Sequence, residues 1–232
     1  MKIAGTTVLV TGANRGFGRA LAAELLARGA TVHAGARNPD TLDLPGVHPI
    51  ALDITDPASI AAAVQEARDV TLLLNNAGSA PVADLLTGDF AAIQSEFDVH
   101  FFGTLAMTRA FAPVIAGNGG GTIVNVLSVL SWVSLPQLGA YSAAKSASWS
   151  MTNALRQQLA PQGVRLAGVH VGYMDTDMAA GVTDPKLPPA EAARIAVDGI
   201  EAGLAEILLD DTSRHVQAGL AGGVPALYPA VA

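Results

Sequence analysis

The chain has 232 residues, half of them hydrophobic, with 20 acidic and 13 basic side chains and a formal net charge of −7. That is enough apolar material for one core in a single domain spanning residues 1–232, and an acidic chain without a Lys/Arg-rich run is unsuited to nucleic acid or an anionic membrane surface. With no cysteine, disulfides, thiolate zinc sites and cysteine nucleophiles are excluded. The start MKIAGTTVLV lacks the features of a secretory signal, so a cytoplasmic protein is expected. Apolar runs such as Val70 to Leu74 fall far short of the ~20 residues of a membrane span.

In chain order, β-branched runs bounded by turn residues predict strands at Thr6–Val10, Ala30–Gly35, Val47–Leu52, Val70–Leu74, Gly121–Val126, Val164–His170 and Glu206–Leu209. Between them, helical periodicity predicts helices at Phe17–Arg28, Pro57–Glu66, Phe90–Ile115, Tyr141–Leu159 and Ala190–Ala202. Asp56 followed by Pro57 is a helix start, and Gly29 and Gly163 stand where helix ends need a positive φ. Gly181 to Pro189 reads as a loop, and the tail after Gly219 as frayed. Strands without polar alternation, each followed by a helix, imply an α/β fold: a Rossmann-like doubly wound parallel sheet flanked by helices.

The first strand leads into Thr11-Gly12-Ala13-Asn14-Arg15-Gly16-Phe17-Gly18. Glycines so spaced make a tight turn, admit a pyrophosphate close to the backbone and let the next helix pack on the sheet. The diphosphate would sit at that helix N-terminus; a plain strand-to-helix turn is the alternative. A site for NAD usually carries Asp or Glu about twenty residues past the glycines. Here Ala36 and then Arg37 stand at that place. A carboxylate would repel a 2′-phosphate, whereas Arg37 and Arg15 offer permanently charged planar donors, so NADP(H) is the expected cofactor. Either arginine could instead be a solvated surface charge.

Tyr141 and Lys145 lie four apart and so share a helix face, while Ser128 follows the fifth strand. A tyrosine titrates near pH ~10, and an adjacent ammonium and oxidised nicotinamide would favour its phenolate. With TGxxxGxG at Thr11 to Gly18, NNAG at Asn75 to Gly78 and YxxxK at Tyr141 to Lys145, nearly the whole chain resembles the short-chain dehydrogenases/reductases. The resemblance implies that Ser128 orients the substrate oxygen, Tyr141 passes the proton, and Lys145 lowers the tyrosine pKa and binds the nicotinamide ribose. It also implies that Asp53 and Ile54 contact adenine, that Asn75, Ala77 and Gly78 line the adenosine ribose and support the sheet, and that Thr176 holds the carboxamide. Asn75 would equally suit a structural role, and Asp53 a turn.

Three departures from the family pattern stand out. Where the family commonly has an asparagine that anchors a water leading from the lysine to solvent, this chain has His100. An imidazole, titrating near pH ~6.5, could replace the relay, block it, or be a hydrogen-bonded interior histidine. The family's Pro-Gly pair after the sixth strand is Val171-Gly172, and Glu206–Leu209 runs into Asp210-Asp211-Thr212-Ser213 in place of a long final strand. A homodimer is therefore expected, with a tetramer possible. Substrate contacts are expected from Ser128, Val129, Leu130, Trp132, Leu138 and Tyr141, and from the segment 173–189 beginning at Tyr173. These are mostly apolar, which points to a neutral, hydrophobic ketone, aldehyde or secondary alcohol. A non-catalytic NADP(H) sensor, or an epimerase or dehydratase of the same fold that recycles its nucleotide, are the competing functions.

Overall fold

A computed structural model describes residues 1–80 and 83–228. In β1 (Thr7–Thr11) the side chains alternate between the two faces of the sheet: Val8 and Val10 enter one core, Leu9 the other. With β2 (Thr31–Ala36), β3 (His48–Ala51), β4 (Leu72–Asn75), β5 (Gly121–Val126), β6 (Val164–His170) and β7 (Glu206–Leu208), it forms a parallel sheet of order β3-β2-β1-β4-β5-β6-β7. All expected strands are present, with ends shifted by no more than two residues.

One face of the sheet is covered by α1 (Gly16–Ala27) and α6 (Pro189–Ala202) through Leu21, Leu25, Val197 and Ile200. The other carries α2 (Pro57–Glu66), α4 (Thr104–Gly117) and α5 (Gly139–Leu159) through Ile60, Met107, Phe111, Ile115 and Leu159. Asp56 caps α2 by accepting from the Ala58 amide at 2.9 Å, with Pro57 at the first helical position. Gly163 has φ 73° beyond the end of α5, as expected. The strand order reverses between β1 and β4, so a crevice opens at their carboxyl ends, where such folds bind ligands.

The helix expected over Phe90–Ile115 is two helices, α3 (Phe90–Phe97) and α4, joined by a π-helical turn at Asp98–Gly103. Gly103 passes so close to Ile54 that a Cβ there would stand 2.9 Å from Ile54 Cδ1. The wider turn gives the helix one extra residue at this point, a common device at functional sites. The whole run Phe90–Gly117 is long and apolar enough, by length and composition alone, to cross a membrane. Met107, Phe111 and Ile115 are nonetheless buried against the sheet, the pattern of a core helix.

The C-terminal segment departs from the expected frayed end. It continues as α7 (Asp211–Gly219) and α8 (Gly223–Leu227). Asp210 caps α7 by accepting from the Ser213 amide at 2.8 Å, and its other oxygen accepts from the Gly172 amide at 2.7 Å. The Tyr228 hydroxyl accepts from the Ser134 amide at 2.7 Å, so this end of the chain is tied to the loop after β5.

Candidate active site

The turn after β1 is built for close approach. Gly12 has φ +65°, and a Cβ on it would stand 2.9 Å from the Ala77 backbone. A Cβ on Gly18 would collide with the Gly12 carbonyl oxygen. Asn76 fixes the turn from β4, donating Nδ2 to the carbonyls of Thr11 at 2.9 Å and Gly12 at 3.2 Å. Phe17 anchors α1 in the core. At the N-terminus of α1, Arg15 provides no side-chain cap, so the first amides of the helix have no side-chain acceptor. An uncapped helix start above a glycine turn suits a diphosphate.

Around this cradle lie the side chains that would select the nucleotide. Arg37 follows the last residue of β2 and is exposed, close enough to Asp53 to help hold that carboxyl low. Hydrogen bonds from Thr55 are the larger cause, its amide at 2.9 Å and its hydroxyl at 2.7 Å, so Asp53 opens a turn. Ile54 is buried against Gly103. Asn14 donates to Thr41 Oγ1 at 3.1 Å, tying the glycine turn to the segment after β2. Arg15 pairs with Asp177 at 3.1 Å across the crevice mouth, both largely exposed. Thr176 overhangs the helix start, its Cγ2 3.3 Å from where a Gly16 Cβ would stand.

Asn75 is turned away from the crevice. Its Nδ2 donates to Asn125 Oδ1 at 2.9 Å and Thr108 Oγ1 at 3.2 Å, and Asn125 in turn donates to Thr152. It therefore pins β4 to β5 and α4.

Ser128, Tyr141, Lys145 and His100 converge at the carboxyl end of β5. Ser128 is buried, held by its own amide to Ser131 Oγ and by the Leu130 amide to its Oγ at 3.1 Å. Lys145 Nζ donates to the Val126 carbonyl at 2.7 Å and stands 5.6 Å from the Tyr141 ring centroid. His100 packs edge-on to Tyr141, centroids 5.1 Å apart. Burial pushes Tyr141 up to about 12; the Ser128 hydroxyl opposes this and Glu96 adds to it. Burial pulls Lys145 down to about 8, with Glu96 opposing. In the protein alone, without the oxidised nicotinamide that the expected lowering invokes, burial sets the direction. The Lys145 ammonium donates to a backbone carbonyl, and desolvation holds Tyr141 as a phenol. Burial also pushes His100 well below the usual imidazole range, reinforced by Lys145, so the ring is neutral.

Side chains outside the motifs complete the site. Glu96 on α3 is fully buried beside His100 and receives Ser79 Oγ at 2.9 Å. His170, at the end of β6, stands with Nδ1 3.1 Å from the Ser128 carbonyl and Nε2 2.5 Å from Glu206, which also receives Arg156 at 3.0 Å. Burial would raise Glu206, but its partners His170 and Arg156 hold it below the usual carboxylate range. Trp132 stacks on His170 with centroids 3.8 Å apart and meets Trp149 edge-on. Trp132 and Leu130 are therefore packed under the site, each under a tenth exposed. Leu138 and Tyr173 are half-buried. Gly172 is fixed by Asp210, which stiffens the loop that lacks the proline.

A parallel sheet with a phosphate cradle at its switch point and a Tyr-Lys pair at the same edge defines a nucleotide-dependent oxidoreductase. The family described as short chain dehydrogenase matches residues 6–187, and the chain belongs to it. It is 40% identical to a short chain dehydrogenase from Burkholderia cenocepacia solved in complex with NADP, with a TM-score of 0.94 over 99% of this chain and 98% of that one. It is 33% identical to carbonyl reductase [NADPH] 2 of Sus scrofa over 81% of this chain and 80% of that protein. Identity is 37% with the NADPH-dependent 1-acyldihydroxyacetone phosphate reductase of Schizosaccharomyces pombe, over 73% of this chain but only 60% of the yeast protein's length.

Proposed function

We propose that this oxidoreductase uses NADP(H) to interconvert a neutral, hydrophobic ketone or aldehyde and its alcohol. The observation that carries the reading is the half-buried phenol of Tyr141, set between Ser128 and Lys145 beside the glycine cradle. The nicotinamide, when bound, supplies or accepts the hydride. Ser128 orients the carbonyl oxygen, Tyr141 donates its hydroxyl proton to that oxygen, and the Lys145 ammonium stabilises the phenolate left behind. A site arranged to hold a proton donor against the substrate oxygen supports turnover over a passive sensor.

NADP(H) is supported by Arg37 in place of a carboxylate after β2, by Arg15 at the helix start, and by the cofactors named for the similar proteins. Residues 173–189 form the substrate loop in this reading. The loop is pinched at its neck, Leu187 donating to the Tyr173 carbonyl at 2.8 Å and Asp175 to the Leu187 carbonyl at 3.0 Å. Its lysine, Lys186, is engaged with Asp175 at 3.4 Å and with the Ala179 carbonyl. No cation is left over there for a phosphate or carboxylate on the substrate, which favours an uncharged one. Isothermal titration of NADPH and NADH onto the wild type and Arg37→Glu tests the cofactor choice. Losing one charge-assisted contact and adding repulsion should cost about 2 kcal/mol, roughly a 30-fold weaker NADPH complex. Equal affinities in the wild type would overturn it.

A further inference from the structure

His170 ends β6 at the edge of the site, fully buried, and the reaction just described does not use it. Its Nδ1 stands 3.1 Å from the Ser128 carbonyl oxygen and its Nε2 2.5 Å from Glu206 Oε2. The second contact is an ion pair lying off the line of a well-formed hydrogen bond, and neither of its atoms has another partner among the described residues. The Trp132 indole stacks on the ring, with centroids 3.8 Å apart and planes 12° from parallel.

These neighbours fix the hydrogens on the ring. A carbonyl oxygen can only accept, so Nδ1 carries one. A bare nitrogen lone pair 2.5 Å from a carboxylate would be repelled, so Nε2 carries the other. Glu206 is the anion of the pair: burial works against its charge, but His170 and Arg156 hold it below the usual carboxylate range. An indole face on one side suits a cation. The charged groups that bear on the ring are therefore Glu206 from β7 and, behind it, Arg156 from α5. Ser128 and Trp132 bring no charge, and Asp210, beyond β7, is taken up by the amides of Gly172 and Ser213. A buried ion pair is weak evidence for stability, because desolvation offsets its attraction. Its use lies in what it holds.

Ser128 closes a tight turn on itself. Its amide meets Ser131 Oγ at 3.3 Å, its carbonyl the Ser131 amide at 3.0 Å and its Oγ the Leu130 amide at 3.1 Å. With a lone pair of Oγ taken by that amide, the hydroxyl proton is left for a substrate oxygen, and the Ser128 backbone sets its direction. His170 grips this backbone from outside the turn. Glu206 in turn accepts from Arg156 Nη2 at 3.0 Å, and Arg156 belongs to α5, the helix of Tyr141 and Lys145. The bracket of Arg156, Glu206 and His170 thus joins the two elements whose hydroxyls must meet on one oxygen. We propose that His170, held as an imidazolium by Glu206, is a positioning residue for Ser128, fixing through the Ser128 carbonyl where the serine hydroxyl points relative to the Tyr141 phenol. Its effect on turnover rests on the reductase reading above; its charge and its grip on Ser128 do not.

The test compares wild type, His170→Leu, His170→Asn and Glu206→Gln, by NMR without cofactor and by kinetics with NADPH. At about pH 7.5, a unit above the ~6.5 of a free imidazole, both ring nitrogens of His170 should carry hydrogen in the wild type, and only Nδ1 in Glu206→Gln. The Ser128 carbonyl carbon should shift in His170→Leu, and less in His170→Asn, whose side-chain amide keeps an N–H near the place of Nδ1. Per folded enzyme, His170→Leu should lower kcat about tenfold, the worth of one charge-assisted hydrogen bond, with KM and NADPH affinity unchanged. His170→Asn should recover most of that loss. Glu206→Gln keeps the ring and tests the same contact should His170→Leu fold poorly; its kcat should fall about threefold as the bond loses its charge. A wild-type ring with one bare nitrogen, a Ser128 carbon signal indifferent to His170→Leu, or wild-type kcat in that variant would overturn the proposal, as would an Asn variant no better than Leu. A wild type that consumes no NADPH while its ring is doubly protonated and the Ser128 signal responds would fault the reductase reading and leave the grip on Ser128 standing.

Discussion

At the residue scale, the balance between burial and charge decides the chemistry. Lys145, pulled down to about 8, is a cation below that pH and an amine above it. Carbonyl reduction, which in the proposed mechanism draws on the ammonium, should therefore be full below pH 8 and fall as pH rises through it; a kcat profile flat to pH 10 would contradict this. His100 is neutral in the fold because burial holds it far below its ordinary value. Below pH ~6.5 the unfolded chain binds a proton that the native state refuses, so stability falls on acidification, with a slope of up to about 1.4 kcal/mol per pH unit. Chemical denaturation at pH 5.5 and 7 should show this difference, and His100→Asn should remove it. The positions of Ser128, Tyr141 and Lys145 were legible in the sequence, because short motifs carry them on regular elements. Glu96 was not: on a helix of ordinary period it reads as a solvated acid, and its burial depends on packing that a 3.6-residue pattern does not record, although its i,i+4 spacing from His100 was there to be read.

At the element scale, strands were readable because parallel strands buried on both faces are continuous apolar runs ended by turn residues. The interruption of α3 and α4 was hidden in a run of unbroken helical period; the turn lies against Ile54, far away in sequence. α7 was also missed, although Asp210, with Asp211 in the first turn, is a helix-start signal; the segment was read for the strand it lacks. Asp210 holds two amides at once, one in α7 and one at Gly172, just before the segment 173–189. Asp210→Ala should cost about 1–2 kcal/mol. In a chain of this size that lowers Tm by roughly 2–8 °C. A Tm within a degree of wild type would show that the cap carries little. His170, pinned between Glu206 and the Ser128 carbonyl, does the same for the loop after β5.

At the scale of the whole molecule, the sheet's switch point sets the glycine turn beside the Tyr141 phenol. Phe90 and Phe102, at 77% and 57% exposure, put two large apolar side chains on the surface of one helical arm, which suits a two-fold contact with a second copy. Sedimentation velocity should give a dimer that Phe102→Asp weakens; a monomer at micromolar concentration would refute that assembly. The central claim is that Tyr141 is the proton donor in NADPH-dependent carbonyl reduction, and single-turnover oxidation of bound NADPH by a hydrophobic ketone, in wild type and Tyr141→Phe, tests it most directly. The account predicts a wild-type decay that slows at least about 10²-fold in the variant, with NADPH still bound. Equal decays in the two proteins, or consumption of NADH but not NADPH, would contradict it.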